Sequence, residues 1–234
     1  MTAIMRRELL SYFSSPIGYI YLAVYYVFSG FYFFAGTLYP KTTDLASVYT
    51  SMFTIVLFLL PILTMRLFSE DNKHRTDQAL LTAPISLTSL VMGKFLAGTV
   101  MFLMGLSVTI VYAVVIAAFA PPNWAYIWGN FVALLLLGAA FIAIGMLISA
   151  MTENQVIAAV GAFAVSLALR MIDSVASLFS NPIAVRFFNG ISFNRRYNAF
   201  TRGVFDFSGI IFFLSVCAIF IFLTIRVLEK RRWS

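Results

Sequence analysis

Ten consecutive polar residues at positions 69–78 are the strongest chemical feature of this sequence: Ser-Glu-Asp-Asn-Lys-His-Arg-Thr-Asp-Gln. Charges of both signs are interspersed, and Asp71 precedes Arg75 by four residues, the spacing that forms ion pairs along a helix. A short exposed helix is therefore predicted, which Pro84 would help to end. Such a helix is suited to docking on another protein, whereas a plain solvated loop is the alternative interpretation.

Residue types that perform catalysis are scarce in the rest of the chain. His74 is the only histidine and Cys217 the only cysteine, so neither a metal site nor an intramolecular disulfide is expected. The sequence has no Gly-x-x-x-x-Gly-Lys-Ser/Thr motif, and Gly93-Lys94-Phe95 lacks both the upstream glycine and the hydroxyl that a phosphate site needs. We therefore predict no catalytic residue, no metal and no cofactor bound by this chain.

The composition predicts a membrane protein. Of the 234 residues, 62% are hydrophobic and 11% are charged, and the mean hydropathy is +0.94, whereas a soluble domain carries roughly 25% charged residues. The formal net charge of +7 would suit nucleic-acid binding in a soluble protein. Because the basic residues here flank apolar runs, they indicate membrane orientation and lipid head-group contacts instead.

Uncharged runs locate the membrane-spanning helices, because a charge at the bilayer centre costs roughly 2.5–3.5 kcal/mol. The 58 uncharged residues between Lys94 and Glu153 are too many for one helix and contain a Pro-Pro-Asn turn at 121–123, which predicts a helical hairpin. The chain is then an all-α integral membrane domain. Its six transmembrane helices are predicted at about residues 17–38, 46–66, 95–119, 125–150, 154–173 and 207–227.

Three further segments complete this single domain. Residues 1–15 combine basic and apolar side chains and predict a helix that lies in the head groups. Residues 67–84 contain the polar run and must lie outside the hydrocarbon. Residues 174–206 alternate aromatic residues with Asn and Arg, which predicts short re-entrant helices on the outer side, between the fifth and sixth spans.

The distribution of Lys and Arg predicts the orientation in the membrane. With six spans, ten of these residues lie on the side of the two termini and six on the other side. We therefore expect both termini and the polar run in the cytoplasm. The first apolar run is long and lacks a small-residue cleavage site, so no cleavable signal peptide is expected.

Short motifs follow one another in order along the chain. The first region consists of Arg66-Leu-Phe-Ser-Glu-Asp, Thr76, Ala79-Leu-Leu-Thr-Ala-Pro-Ile85 and Val91-Met-Gly-Lys-Phe95. The later motifs are Tyr126-Ile-Trp-Gly, Leu137-Gly-Ala-Ala-Phe-Ile-Ala-Ile-Gly145, Thr152-Glu-Asn-Gln-Val156, Phe200-Thr-Arg-Gly-Val-Phe-Asp206 and Thr224-Ile-Arg-Val-Leu-Glu-Lys-Arg-Arg-Trp233. In this order they resemble the type-2 ABC exporter permeases, whose signature region matches the first region, and within them the subfamily of the gliding-motility permease GldF. The resemblance extends over essentially the whole chain.

This resemblance implies a permease subunit of an ATP-driven exporter in the bacterial cell membrane. It implies that ATP and Mg²⁺ bind to a separate cytoplasmic ABC ATPase, present in two copies, and that a second permease chain, identical or related, completes a dimer. An extracytoplasmic companion protein and membrane lipid are further candidate partners, and nucleic acid is not expected.

In the family, the polar helix after the second span is the coupling element that seats in the ATPase. On this resemblance, the coupling residues are Glu70, Asp71, Lys73, Arg75, Thr76, Asp77 and Gln78. Arg75 stands where the family usually has Gly, and Gln78 stands where it usually has Glu. We therefore expect the coupling contact to use different charges.

Two other functions compete with the exporter as interpretations of the sequence. An ATPase-coupled membrane scaffold, which transmits mechanical work to an envelope complex without moving a solute, is the alternative. A stand-alone ion-coupled carrier is disfavoured, because the middle of every predicted span lacks ionisable residues.

Aromatic residues on the first predicted span are candidates for the translocation path or a dimer contact. Tyr21, Tyr25, Phe28 and Tyr32 recur at spacings of 4, 3 and 4, so they share one face of a helix. Ordinary helix packing is the alternative interpretation.

Four residues of the fifth predicted span are candidates for other contacts. Ala158 and Ala162 form a small-residue face that favours close approach of a second permease chain. Arg170 and Asp173, three residues apart near the outer end, are candidates for an outer gate or for an interfacial ion pair.

Overall fold

The computed structural model describes residues 1–74, 86–179, 181–201 and 206–233, and within these ranges the regular structure is helical without strands. Eleven α-helices lie in the described ranges. They are α1 (Thr2–Ser14), α2 (Pro16–Phe33), α3 (Ala46–Thr64), α4 (Arg66–His74), α5 (Leu87–Leu106), α6 (Val108–Ala117), α7 (Trp124–Met151), α8 (Gln155–Ala176), α9 (Pro182–Ile191), α10 (Phe193–Thr201) and α11 (Phe207–Trp233).

Six of the described helical stretches are long and apolar enough to cross a membrane, which confirms the predicted number. They are Pro16–Leu38, Ala46–Lys73, Leu87–Ala117, Trp124–Met151, Gln155–Ala176 and Phe207–Arg232. The first includes a π-helical turn, Phe34–Leu38, and the second and third each join two helices end to end. At about 1.5 Å per residue, the 31 residues of the third stretch exceed the hydrocarbon thickness of about 30 Å. The stretch is therefore longer than a helix needs to be to cross the apolar layer.

The third stretch begins eight residues before the predicted start at 95. The uncharged run predicts a helix end at Lys94, because an unpaired charge is costly in an apolar segment. In the structure Lys94 lies inside α5 and is only 2% exposed, because carboxylates from other helices contact its ammonium group. A paired charge does not have to mark the end of a helix.

Helix α7 is the centre of the bundle. It packs against α3, α4, α5, α8, α10 and α11. Of its 18 most apolar consecutive residues, 72% are buried, whereas the corresponding share is 17% for α8 and for α11. Glycines permit the close contacts: a Cβ at Gly145 would lie 2.2 Å from Thr64 Oγ1 and 2.8 Å from Thr64 Cβ. Large outward faces of α8 and α11 therefore remain for lipid or partner chains.

Two short helices, α9 and α10, lie between α8 and α11, in the segment for which short helices were predicted. Phe193, Tyr197 and Phe200 of α10 are buried, and the Tyr197 hydroxyl donates to the Tyr49 carbonyl at 2.8 Å. Burial raises the pKa of Tyr197 well above its ordinary value, so the phenol stays protonated and keeps donating. This contact attaches α10 to α3.

We expect Gly145→Ala to destabilise the protein by about 1–3 kcal/mol, because the added methyl overlaps Thr64, whose β-branched side chain has few rotamers. The measurement is the thermal unfolding midpoint of the purified protein in detergent. Gly190→Ala is the matched control, since nothing lies within 4 Å of the corresponding position. Equal midpoints for the two variants would contradict the close contact of α7 with α3.

Candidate functional site

The ammonium group of Lys94 brings three helices together. Its Nζ lies 2.8 Å from Glu8 Oε1 on α1 and 2.6 Å from Asp71 Oδ2 on α4. It also donates to the Leu67 carbonyl and lies 5.0 Å from the centre of the Phe68 ring. One buried cation therefore contacts two partly buried carboxylates from different elements.

The guanidinium of Arg66 makes a second connection between α4 and the N-terminal segment. Its Nε donates to Glu70 Oε2 at 2.8 Å, and its terminal nitrogens donate to Ser15 Oγ at 2.5 Å and Ser11 Oγ at 2.9 Å. The group also lies 5.5 Å from the Tyr12 ring centre. Arg66 is 8% exposed, so this charge too is used almost entirely inside the chain.

A hydrogen bond from Tyr12 and close packing at Gly93 reinforce these polar contacts. The Tyr12 hydroxyl donates to the Leu63 carbonyl at 2.8 Å, and burial raises the pKa of Tyr12, so the phenol remains a donor at neutral pH. A Cβ at Gly93 would lie 2.9 Å from Ile4 Cγ2. Helix α1 thus lies against α5 with no room for a larger side chain between them.

Helix α7 holds α4 from the opposite side. The Ser149 hydroxyl oxygen accepts from the backbone N–H groups of Phe68, at 3.1 Å, and Ser69, at 3.0 Å. Further along α4, Asn72 Nδ2 donates to the Thr152 carbonyl at 3.1 Å. These bonds fix the start of α4, just after the break between α3 and α4.

The charged groups surround a cavity of about 210 Å³, which we call the charged cavity. Its lining residues are Arg7, Glu8, Ser11, Arg66, Glu70, Asp71 and Lys94. Three formal positive charges and three formal negative charges balance there. In the described ranges no group of three or more His, Cys, Asp or Glu residues could hold a metal ion. The arrangement is suited to holding helices together and transmitting a displacement between them.

The predicted coupling residues divide into three sets. Glu70 and Asp71 pair with Arg66 and Lys94 inside the chain, whereas Lys73 is exposed. Arg75, Thr76, Asp77 and Gln78 lie outside the described residues, as does the side chain of His74. The docking role of all seven coupling residues stays a prediction.

Sequence reasoning missed the inward role of Glu8, Arg66 and Lys94. The charge of Lys94 predicted only a helix end, although Lys94 is the eighth residue of α5. A lysine in this position, with acidic residues near the ends of neighbouring predicted spans, is the sequence signal that could have predicted the pairing.

The four aromatic candidates of the first span face different surroundings. Tyr21 and Tyr25 are buried inside the chain, and among the described residues their hydroxyls have no hydrogen-bond partner. Phe28 is exposed and Tyr32 half-buried, and both line an apolar cleft of about 400 Å³ between α2 and α3. A shared path along all four would require α2 to rotate or move, and the path stays a prediction.

The small-residue face of the fifth span is buried in this single chain. Ala158 and Ala162 are 0% and 2% exposed, because α8 packs on α3 and α7. The exposed side of α8 instead carries larger apolar residues, which include Val156, Ile157 and Val160. A contact of Ala158 and Ala162 with a second chain stays a prediction, and it would require α8 to move away from α3 and α7.

Arg170 and Asp173 do not pair with each other in the described structure. The Arg170 guanidinium carbon lies 4.5 Å from the centre of the Phe53 ring, and Asp173 Oδ2 accepts from Asn194 Nδ2 at 3.1 Å. The expectation of an interfacial ion pair is therefore corrected, because each group has found a partner on a different helix. Their role in an outer gate stays a prediction.

Residues 9–169 match the model of a protein family described as ABC-2 family transporter protein. The match covers about two thirds of the chain and includes α2 to α7, together with Arg66, Asp71 and Lys94. No curated protein matches the sequence.

We expect Lys94→Met to destabilise the protein by about 3–5 kcal/mol, because it removes the buried cation that two partly buried carboxylates contact. The combined variant with Glu8→Gln and Asp71→Asn should recover most of this loss, since the two groups that lost their contact with Lys94 are then neutral. Thermal unfolding in detergent measures both effects. A single variant as stable as the unaltered protein, or a triple variant less stable than the single one, would contradict this account.

Proposed function

The chain belongs to the ABC-2 family of transporter proteins, and from this premise we propose that it is the permease subunit of an ATP-driven exporter. As a multi-pass membrane protein it would provide the translocation path, paired with a second, identical or related permease chain. ATP and Mg²⁺ would bind to two copies of a separate cytoplasmic ABC ATPase. The GldF-like subfamily remains a proposal that rests on the ordered motifs.

One observation carries the coupling proposal: α4, which begins the polar run, is fixed to α1, α5 and α7 at once. Lys94 and Arg66 connect it to α1 and α5, and Ser149 connects it to α7. Lys73 of α4 is exposed, and the residues that follow it belong to the part of the polar run that we propose docks on the ATPase. A docked neighbour could therefore move α4 only together with these helices.

The proposed mechanism follows from that rigidity. Closure of an ATPase dimer around ATP would displace the polar run, and the paired charges would pass the displacement to the membrane helices. The permease pair would then shift between two arrangements, one open to each side of the membrane. ATP bound to the neighbouring ATPase would favour one of these two arrangements. The subunit itself would perform no covalent chemistry.

We propose the following positions in the membrane. Helix α1 would lie in the cytoplasmic head groups, since Arg6 and Arg7 are exposed while Ile4 and Leu9 pack on the core. Helices α9 and α10 would dip into the outer leaflet. Both chain termini would then lie in the cytoplasm, in agreement with the distribution of basic residues.

The apolar cleft favours transport over the alternative of a non-transporting scaffold. Its volume of about 400 Å³ falls within the range of roughly 300–1,000 Å³ that is typical of ligand sites, and Phe28 and Tyr32 supply aromatic surface for an apolar substrate. ATP-dependent movement of a candidate substrate into liposomes, with the partner ATPase present, would separate the two functions.

Charge reversal at Lys73 or at Asp77 is expected to weaken ATPase binding by about five- to tenfold, because it replaces an attraction at the docking surface with a repulsion. Copurification of the two chains and substrate-stimulated ATP turnover are the measurements. Asp71 is unsuitable for this test, since its reversal would also break the Lys94 pair.

Lys41→Glu is the matched control for Lys73→Glu. Lys41 is exposed like Lys73 but lies between the first two spans, on the opposite side of the membrane in the proposed orientation. The control should leave ATPase binding unchanged. Equal binding by both variants would place the docking surface elsewhere.

The proposed orientation predicts opposite labelling at two exposed positions. In a Cys217→Ala background, we expect Lys73→Cys to react with a membrane-impermeant maleimide only in inside-out vesicles, and Thr42→Cys only in right-side-out vesicles. The reverse pattern would overturn the orientation and, with it, cytoplasmic coupling through α4.

A further inference from the structure

The charged cavity lies where lipid head groups are expected. It is bordered by α1, by the start of α4 and by the first two turns of α5. All three lie next to ends of apolar spans that face the same side of the membrane in the proposed orientation. Head groups occupy this level of a bilayer, and basic residues at helix ends contact them. A small polar cavity at this depth is accessible to a lipid as well as to water.

Arg7 is the basic residue of the cavity that is left for a ligand. It is exposed, and no carboxylate among the described residues lies within ion-pair distance of it, whereas Lys94 and Arg66 are both paired. Arginine presents a planar set of donors that suits a phosphate group. The anion-binding capacity of the cavity therefore lies at its α1 edge.

The carboxylates of the cavity retain capacity for a cation. Each ionised carboxylate offers about four acceptor positions, whereas Glu8 accepts from Lys94 through Oε1 and Glu70 accepts from Arg66 through its two oxygens, which leaves positions on both groups. A primary ammonium group can donate three hydrogen bonds to such oxygens, whereas a quaternary ammonium group can donate none. The same cavity thus offers donors for a phosphate at Arg7 and acceptors for an ammonium group at Glu8 and Glu70.

We propose that the charged cavity binds the head group of phosphatidylethanolamine, with its phosphate at Arg7 and its ammonium at Glu8 and Glu70. The volume of about 210 Å³ lies below the range of drug-sized ligand sites and suits a head group rather than a whole lipid. The acyl chains lie beside α1, where Leu10 is exposed. Bound lipid occupies the space between α1 and α4 and is independent of ATPase docking.

The test uses the delipidated full-length protein in detergent. Phosphatidylethanolamine, phosphatidylcholine and phosphatidylglycerol with the same acyl chains are added in turn at equal mole fraction, and bound lipid is counted by native mass spectrometry. We expect retention of phosphatidylethanolamine to exceed that of each other lipid by about tenfold, the effect of one charge-assisted hydrogen bond. Equal retention of phosphatidylethanolamine and phosphatidylcholine would overturn the proposal.

Arg7→Gln and Arg6→Gln form a matched pair of variants. Arg6 is also exposed on α1 but does not line the cavity. Arg7→Gln should reduce retention about tenfold, and Arg6→Gln should leave it unchanged. Equal effects of the two variants would show only a general attraction of α1 to lipid and would reject the site.

Soluble glycerophosphoethanolamine distinguishes a lipid from a free ligand with the same chemistry. Competition only at high molar excess supports the membrane-bound source, whereas displacement of the lipid at equal concentration assigns the cavity to a soluble ligand and overturns the lipid proposal. Lys73→Glu, which alters the proposed docking surface but does not line the cavity, should leave retention of phosphatidylethanolamine unchanged, so failure of this inference and failure of the proposed coupling are distinguishable.

Discussion

A buried ammonium group held between two carboxylates is the constraint on which the rest of this structure depends. Lys94 on α5 is only 2% exposed, and it would lose a contact with an opposite charge if it separated from Glu8 on α1 or from Asp71 on α4. Breaking a buried ion pair is destabilising, whereas the intact pair adds little net stability over apolar residues, so its main effect is on geometry. The contacts of Lys94 fix the position of α1 and the start of α4 relative to α5.

Close packing and interhelical hydrogen bonds hold the helices together in addition to the ion pairs. Between membrane helices the apolar surroundings supply little driving force for association, so small residues and interhelical hydrogen bonds carry the interaction. Helix α7 provides both: Gly145 admits Thr64 of α3, and Ser149 bonds two backbone N–H groups of α4. The joint between α3 and α4 is thus held on both sides, by α7 and by the polar contacts of Arg66.

The number of apolar helices followed from the sequence because uncharged runs are long and charges are rare. The same rule failed at the start of α5, since it treats each charge alone and cannot see that Glu8 and Asp71 meet Lys94. The expected pairing of Arg170 with Asp173 failed for a related reason: spacing along one helix does not reveal the ring of Phe53 or the amide of Asn194 on other helices. Local pattern predicts the elements, and long-range contacts decide what each charged side chain does.

The balance of charge in the charged cavity has an electrical consequence. Moving one elementary charge through the membrane potential requires about 2.3 kcal/mol per 100 mV, so helices that carry unpaired charges respond to voltage. The six charged residues of this cavity sum to zero. A displacement of these six side chains together therefore moves no net charge through the field, so a response of α1 and α4 to the membrane voltage has to come from charges outside the cavity, such as Arg6 and Lys73.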